Sequence, residues 1–310
     1  MTPRQIFVTG GTGFFGKSIL DYRLRNLDFL SRTNLIILSR DPPAFCERYP
    51  DLAGQPGISW IKGDVCNLDR NALDRFSPDA ILHAAALLNP AASEAEIRNV
   101  ALAGTRNIIA LAKRHNCQKL LLTSSGAVYG PAFQPLNENH PTIPSTPYGK
   151  AKLDVERLCL ESGVSTLITR CFAFTGRYLD RSIYYAIGNF IQDCLDNKPI
   201  VIKGDGTPLR SYLYADDLVE WLFAILDRGE PGRPYNVGSP HGLSIRELAE
   251  TVRSALGATN NIQVLGTPTG APPSVYVPDT GRAMTELGLK VKVDLPEAIR
   301  LSATSNPCNP

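Results

Sequence analysis

The sequence predicts an α/β protein built on a doubly wound parallel sheet, with a smaller C-terminal lobe. Three observations carry that reading. Short β-branched or apolar runs alternate with helical patterns from residue 4 to 170. The first run ends in a glycine cluster that opens directly into a helix. After Arg170 the alternation gives way to Pro and Gly clusters at 204–208, 229–234 and 266–278.

Taken in order, Gln5 to Thr9, Asn34 to Ser39, Ile58 to Ile61, Ala80 to Ala84, Lys119 to Thr123 and Ser165 to Arg170 read as six strands. Between them Lys17 to Arg25, Glu94 to Arg114 and Tyr148 to Ser162 carry apolar residues at helical spacing. Past Arg170, Asp216 to Asp227 and Ser244 to Leu256 still read as helices, the second opened by Ser244 with Glu247 three residues on, a capping box. The expected division is a dinucleotide-binding domain over 1–170 with about 208–228, and a substrate-binding lobe over 171–207 and 229–301. Ser302 to Pro310, with two prolines and few apolar residues, is expected to fray.

Composition narrows the partners. With 310 residues, 43% apolar and 20% charged, the chain can bury a large core, which excludes a disordered or coiled-coil protein. The longest mostly apolar stretch, Ala80 to Leu88, is interrupted by His83 and falls far short of the roughly 18 residues a membrane span needs, so a soluble protein is expected. No long apolar segment follows Met1, and the cytoplasm is the default location. Thirty-two basic and 30 acidic side chains nearly cancel, and no basic run marks a nucleic-acid face; a small molecule is the expected partner. Cys46, Cys66, Cys117, Cys159, Cys171, Cys194 and Cys308 are odd in number and scattered, as are the four histidines, so neither a disulfide framework nor a metal site is expected. Most of these cysteines should behave as small buried apolar residues.

The chemistry concentrates at strand ends. In Thr9-Gly10-Gly11-Thr12-Gly13-Phe14-Phe15-Gly16, the glycines let the backbone turn tightly, approach a pyrophosphate and pack helix on strand, as in the Rossmann dinucleotide fold. The second strand ends in Leu38-Ser39-Arg40-Asp41. A hydroxyl and a guanidinium suit a ribose 2′-phosphate, which favours NADP(H), with NAD as the alternative if Asp41 instead takes the ribose. Ser124 and Ser125 lie just past the fifth strand, and Tyr148 and Lys152 sit four apart at the start of a helix. That spacing puts both on one helical face, where an ammonium stabilises a phenolate and makes the tyrosine a usable general acid or base.

With these motifs the sequence resembles the extended short-chain dehydrogenase/reductase family, the branch acting on nucleotide-activated sugars. The likeness also takes in Gly63-Asp64-Val65, His83-Ala84-Ala85-Ala86, Asn99-Val100, Ser125-Gly126-Ala127-Val128-Tyr129-Gly130, Arg210-Ser211-Tyr212 with Asp216-Asp217, and Tyr235-Asn236-Val237-Gly238-Ser239. The resemblance implies cofactor contacts from Gly10, Thr12, Gly13, Phe14, Phe15, Gly16, Ser39, Arg40, Asp64, Val65, Ala85, Ala86, Leu87, Asn99, Tyr148 and Lys152. It implies catalysis by Ser125, Tyr148 and Lys152, and substrate contacts from Ser125, Asn189, Phe190 and Arg210. Read singly, Asp64 is equally a turn residue, His83 a satisfied core histidine and Asn99 a helix residue bonding a loop. A homodimer through the helices 94–114 and 148–162 is a further implication of the likeness.

Within that branch the reactions are 4-epimerisation, 4,6-dehydration and reduction of a 4-keto sugar. Dehydratases of the family follow the catalytic hydroxyl with an Asp-Glu pair; Gly126 and Ala127 stand there instead, which speaks against dehydration. Arg40 tilts the choice toward an NADPH-dependent reductase of a nucleotide 4-keto-6-deoxy sugar, with an NAD-dependent 4-epimerase next and a non-catalytic cofactor-binding regulator after it. Two departures concern the sugar diphosphate: Ala173 replaces a usual asparagine, and Thr267 to Asp279 lacks the usual arginine. Asn189 and Arg210 still match, and Arg177, Arg181 or Arg282 could substitute.

Overall fold

A computed structural model describes residues 4–69, 71–87, 92–182, 185–268 and 270–304. Met1, Leu88, Cys308 and the part of the expected fraying tail beyond 304 lie outside the described residues. The chain divides into two compact units, 1–130 with 142–170 and 222–235, and 131–141 with 171–221 and 236–310.

The first unit opens with β1 (Arg4–Thr9), α1 (Phe14–Arg25), β2 (Thr33–Ser39), α2 (Pro42–Arg48), α3 (Pro50–Ala53) and β3 (Ile58–Lys62). It continues through β4 (Ala80–His83), α4 (Glu94–Arg114), β5 (Lys119–Ser125), α5 (Pro147–Glu161) and β6 (Thr166–Cys171). All six expected strands form, within two residues of the boundaries read from the sequence. The most informative difference is at β5, which runs on to Ser125, so Ser124 and Ser125 are its last residues rather than the start of a loop. Ser125 keeps an extended backbone (φ −146°, ψ 149°) because its side chain caps the 3-10 turn Gly126–Val128.

Strands β1 to β4 pair in parallel, with Val8 opposite both Ile37 and Leu82, and β4 pairs in parallel with β5. The resulting order, β3-β2-β1-β4-β5-β6, reverses direction between β1 and β4, which is the doubly wound arrangement expected. On one face Phe7, Ile36, Leu38, Ile81, Leu120 and Leu122 meet Ile108 and Leu111 of α4 and Val155 and Cys159 of α5. Each such side chain contributes about 1.5–3 kcal/mol on burial. Helix α4 starts at a capping box that the sequence reading missed: the Glu96 N–H donates to Ser93 Oγ (3.3 Å) and the Ser93 N–H to Glu96 Oε2 (2.9 Å).

Beyond β6 come β7 (Phe174–Thr175), α6 (Ala186–Leu195), β8 (Ile200–Ile202), β9 (Leu209–Arg210), β10 (Leu213–Tyr214) and α7 (Ala215–Arg228). They are followed by β11 (Pro234–Val237), β12 (Leu243–Ser244), α8 (Ile245–Ala255), β13 (Ile262–Val264), β14 (Val275–Tyr276), α9 (Gly281–Leu287) and α10 (Leu295–Ala303). β11 joins the main sheet beside β6 as its seventh strand. The remaining strands form small sheets, β12-β9-β14, β13-β8 and β10-β7. The capping box read at Ser244 is present: the Glu247 N–H reaches Ser244 Oγ at 3.1 Å and the Ser244 N–H reaches Glu247 Oε2 at 2.7 Å.

The cysteines are less buried than expected. Of the six described, Cys159, Cys171 and Cys194 are buried, whereas Cys46, within α2, Cys66, in the turn after β3, and Cys117, after α4, are only partly so. Among the described residues no group of His, Cys, Asp or Glu is arranged to hold a metal, and no helix is long and apolar enough to cross a membrane.

Within the second unit Asp217, on α7, fastens the connection between α9 and α10: its Oδ2 accepts the N–H groups of Lys292 (3.1 Å) and Val293 (3.2 Å). Burial pushes its pKa up to about 6, against the pull of those two bonds. The folded state therefore keeps a proton that the unfolded chain releases near pH 4, so the stability tied to protonation is fully present below about 4 and lost as pH rises through about 6. Asp217→Asn should flatten the dependence of unfolding free energy on pH across this window, by at most about 1.4 kcal/mol per pH unit, in urea titrations run beside the wild type. Parallel curves would show that Asp217 titrates alike in both states.

Candidate active site

The glycine loop is built by close backbone contact. Gly10 adopts φ +74°, and a Cβ there would lie 2.7 Å from the Ala84 carbonyl carbon; a Cβ on Gly16 would fall on the backbone of Gly11. Gly13 is the N-cap of α1 and offers no side-chain acceptor, so the N–H groups of Phe14, Phe15 and Gly16, the first three of the helix, have no acceptor within the helix. With no acidic residue in that first turn, this is a cradle for an anion, and it fits the pyrophosphate of a dinucleotide.

At the end of β2, Ser39 is buried and its Oγ accepts the Asp41 N–H at 3.2 Å. The Asp41 carboxylate accepts the Ala44 N–H at 3.2 Å as the N-cap of α2. Arg40 between them is exposed, with no ion pair or hydrogen bond among the described residues. Asp64, after β3, accepts the Cys66 N–H at 2.8 Å and so does act as a turn residue. Asn107 of α4, which the sequence reading did not single out, donates to the carbonyls of Val65 (2.9 Å) and Cys66 (3.0 Å) and fixes that same loop. Its only signal was an amide on an otherwise apolar helix face. Asn99 is exposed on α4, and after β4 Ala85 and Leu87 are partly buried while Ala86 is exposed.

His83 proves to be a satisfied core histidine. Its Nδ1 shares a 2.7 Å hydrogen bond with Thr9 Oγ1 and its Nε2 a 3.2 Å bond with Thr105 Oγ1. Burial, with a smaller contribution from the charge of Lys152, pushes its pKa down to about 3, so it is neutral at physiological pH. Thr9 Oγ1 also accepts the Ala85 N–H at 3.2 Å, which ties the loop after β4 to the end of β1.

Helix α5 begins with Thr146 as N-cap, accepting the Gly149 N–H at 3.1 Å, and Pro147 at its first position, which places Tyr148 and Lys152 in the first two turns. Lys152 is buried, donates from Nζ to the Thr123 carbonyl at 2.7 Å, and lies 5.7 Å from the centre of the Tyr148 ring. Ser125, at the end of the same strand as Thr123, accepts the Ala127 N–H at 3.1 Å, which leaves its hydroxyl hydrogen available to a carbonyl oxygen. One turn beyond Lys152, Glu156 accepts a hydrogen bond from the Ser124 hydroxyl and pairs with Arg170 of β6 at 2.9 Å, both side chains buried. The arrangement provides a phenol, an ammonium and a hydroxyl donor on one rigid support, the set needed to move a proton to or from a sugar oxygen.

In the second unit, Asn189 is partly buried in the first turns of α6 and Phe190 beside it is 3% exposed. Arg210 turns its guanidinium to the Leu209 carbonyl (2.7 Å) and to Ser274. Of the substitutes considered for the diphosphate, Arg181 is buried against the Ser302 carbonyl and Arg282 lies beside Glu138 and Asn139.

A family model described as the NAD-dependent epimerase/dehydratase family matches residues 6–238. The chain belongs to that family. One member, UDP-glucuronic acid decarboxylase 1 of Arabidopsis thaliana, is 28% identical over 308 residues, covering 95% of this chain and 68% of that protein. Among solved structures, dTDP-glucose 4,6-dehydratase from Bacillus anthracis in complex with NAD superposes with a TM-score of 0.83 at 21% identity, over 97% of this chain and 95% of that one. UDP-glucose 4-epimerase from Thermus thermophilus, also with NAD, gives 0.79 at 25% identity over 96% and 97%. These epimerase/dehydratase relatives are enzymes of nucleotide sugars of the extended short-chain dehydrogenase/reductase type, and the seven-strand Rossmann-like fold is theirs.

The glycine cradle leads to one expectation. Gly16→Ala would push helix α1 away from Gly11, so dinucleotide affinity measured by calorimetry should fall at least about tenfold while the circular dichroism spectrum is kept. Unchanged affinity would mean that the cradle is not where the pyrophosphate rests.

Proposed function

We propose that this enzyme is an NADPH-dependent reductase of a nucleotide-activated 4-keto-6-deoxy sugar. The observation that carries the cofactor choice is the division of labour after β2: Asp41 is committed to capping α2, while Arg40 stands exposed next to it. A guanidinium there suits a 2′-phosphate, whose charge it pairs, better than an unphosphorylated ribose, to which it offers only a hydrogen bond to a neutral hydroxyl. The dinucleotide, when bound, supplies the hydride that reduces C4. Tyr148 gives its phenolic proton to the C4 oxygen, and Ser125 donates its hydroxyl hydrogen to the same oxygen, holding it in line. Lys152 stabilises the phenolate left behind and reaches the nicotinamide ribose. With Gly126 and Ala127 after Ser125, no carboxyl stands on this turn to expel water from the sugar, which argues against the dehydration carried out by some relatives. The nucleotide sugar is inferred from the three relatives named above, each of which carries one in its name.

A second reading, nucleotide-sugar 4-epimerase with NAD, is favoured by the likeness to the Thermus thermophilus enzyme. It uses the same three residues, with Tyr148 as base and then acid. Incubation with nucleotide 4-keto sugars and NADPH decides between them: a reductase oxidises one NADPH per sugar consumed, whereas an epimerase interconverts two nucleotide hexoses with no net change in the nicotinamide absorbance.

Two substitutions test the parts separately. Arg40→Ala should weaken NADPH binding by about 1.5–3 kcal/mol, the range for a charge-assisted contact, and leave NADH nearly untouched; equal losses would remove the NADP assignment. Tyr148→Phe should lower turnover about 100- to 10,000-fold with cofactor affinity held within a few-fold, and near-normal turnover would mean that the proton comes from elsewhere.

A further inference from the structure

Behind the phenol and ammonium lies a buried ion pair that the reaction does not touch. Tyr148, Lys152 and Glu156 follow one another at four-residue intervals on α5, so Glu156 is about 12 Å from Tyr148 along the axis and one turn behind Lys152. Glu156 is 2% exposed and Arg170 7%. Arg170 donates from Nε (3.2 Å) and Nη2 (2.9 Å), its guanidinium also lying 4.8 Å from the Tyr129 ring centre. Burial opposes the Arg170 charge, but the hydrogen bonds and charge of Glu156, joined by the phenol of Tyr129, outweigh it and raise its pKa. The thiol of Cys159, one turn from Glu156, is pushed up to about 12 by burial first and by the charge of Glu156 second, with Lys152 pulling the other way.

An unbalanced carboxylate at Glu156 would draw on the Lys152 ammonium and disfavour a phenolate at Tyr148. We propose that Arg170 is a positioning residue for charge: by neutralising Glu156 it lets the carboxylate anchor Ser124 without taking from Tyr148 the positive charge of Lys152. The proposal deepens the reading of Tyr148 as proton donor and rests on it. The other groups around this stretch of α5 do not replace Arg170. His83 on β4 is neutral, and on the outer face Lys150 and Asp154 of α5 are paired with Glu94 and Arg98 of α4 at 3.1 Å and 2.6 Å.

The test is a titration of the Tyr148 phenol in the cofactor-free protein, by near-ultraviolet tyrosinate absorbance, with the same background carrying Tyr148→Phe subtracted. Glu156→Gln keeps the acceptor for Ser124 and leaves Arg170 unopposed, so the phenol should ionise about half a unit to one unit lower in pH. Arg170→Gln should move it up by a similar amount. Arg170→Lys and the double variant Glu156→Gln/Arg170→Gln, which keep the balance, should leave it in place. A purely structural role predicts no opposed shifts, and singles that melt cooperatively yet titrate like the wild type overturn the proposal. If one single does not fold, the other carries the test by its direction, and a phenol left in place there overturns the proposal equally. Turnover of Tyr148→Phe near wild type would sink the proton-donor reading alone, without touching the titration result.

Discussion

Helix α5 is held to the sheet by polar side chains that reach inward. Lys152 donates to the Thr123 carbonyl, and Glu156 takes the neighbouring Ser124 hydroxyl together with the Arg170 guanidinium. These bonds are made where water is excluded, so each group would be costly to leave alone, and together they permit one seating of the helix on β5 and β6. The separation between Ser125 on the strand and Tyr148 on the helix follows from that seating. A proton-transfer site of this kind needs its groups held within fractions of an ångström, and hydrocarbon packing between α5 and the sheet alone would allow sliding.

Hydroxyl groups do similar work elsewhere in the first unit. Thr9, Thr105 and Thr123 surround His83, whose two ring nitrogens and backbone carbonyl are all engaged. Because the imidazole stays neutral, it links β1, β4 and α4 without bringing a charge beneath the glycine loop and the loop after β4. Thr169 extends the pattern by donating to the Leu122 carbonyl at 3.2 Å. Threonine suits these strands twice over, since its branched side chain favours extended backbone and its hydroxyl finds an acceptor across the sheet.

Much of the fold was legible because the strands and long helices follow simple periods, and Gly10 and Gly16 of the first loop meet backbone where no Cβ fits. That Tyr148 and Lys152 share one face at the start of a helix was legible from their spacing together with their place after the fifth strand. What escaped depends on partners distant in the chain. Nothing local to Arg170 says that it faces Glu156, fourteen residues earlier, since that requires the register of β6 against α5. Asn107 looks like any helix amide until the loop after β3 is laid against it. Helices α2, α3, α9 and α10 were missed as elements: all four are short, and α2 opens with two prolines. Arg181 and Arg282, read as candidates for a diphosphate, hold the Ser302 carbonyl and the Glu138–Asn139 segment, uses that sequence spacing does not reveal.

The order in which the strands are synthesised differs from the order in which they lie. Six of the seven central strands are complete once Cys171 has been made, but the neighbour of β6 at the sheet margin is β11, and its last residue is Val237. Every residue of β6 is buried in the finished protein. On the ribosome, therefore, a strand that ends up wholly buried has one unpaired edge while a further stretch of chain emerges, and such an edge is a template for pairing with another molecule. The nascent chain is most vulnerable to aggregation in that interval, and a fragment ending short of β11 would carry the same open margin permanently.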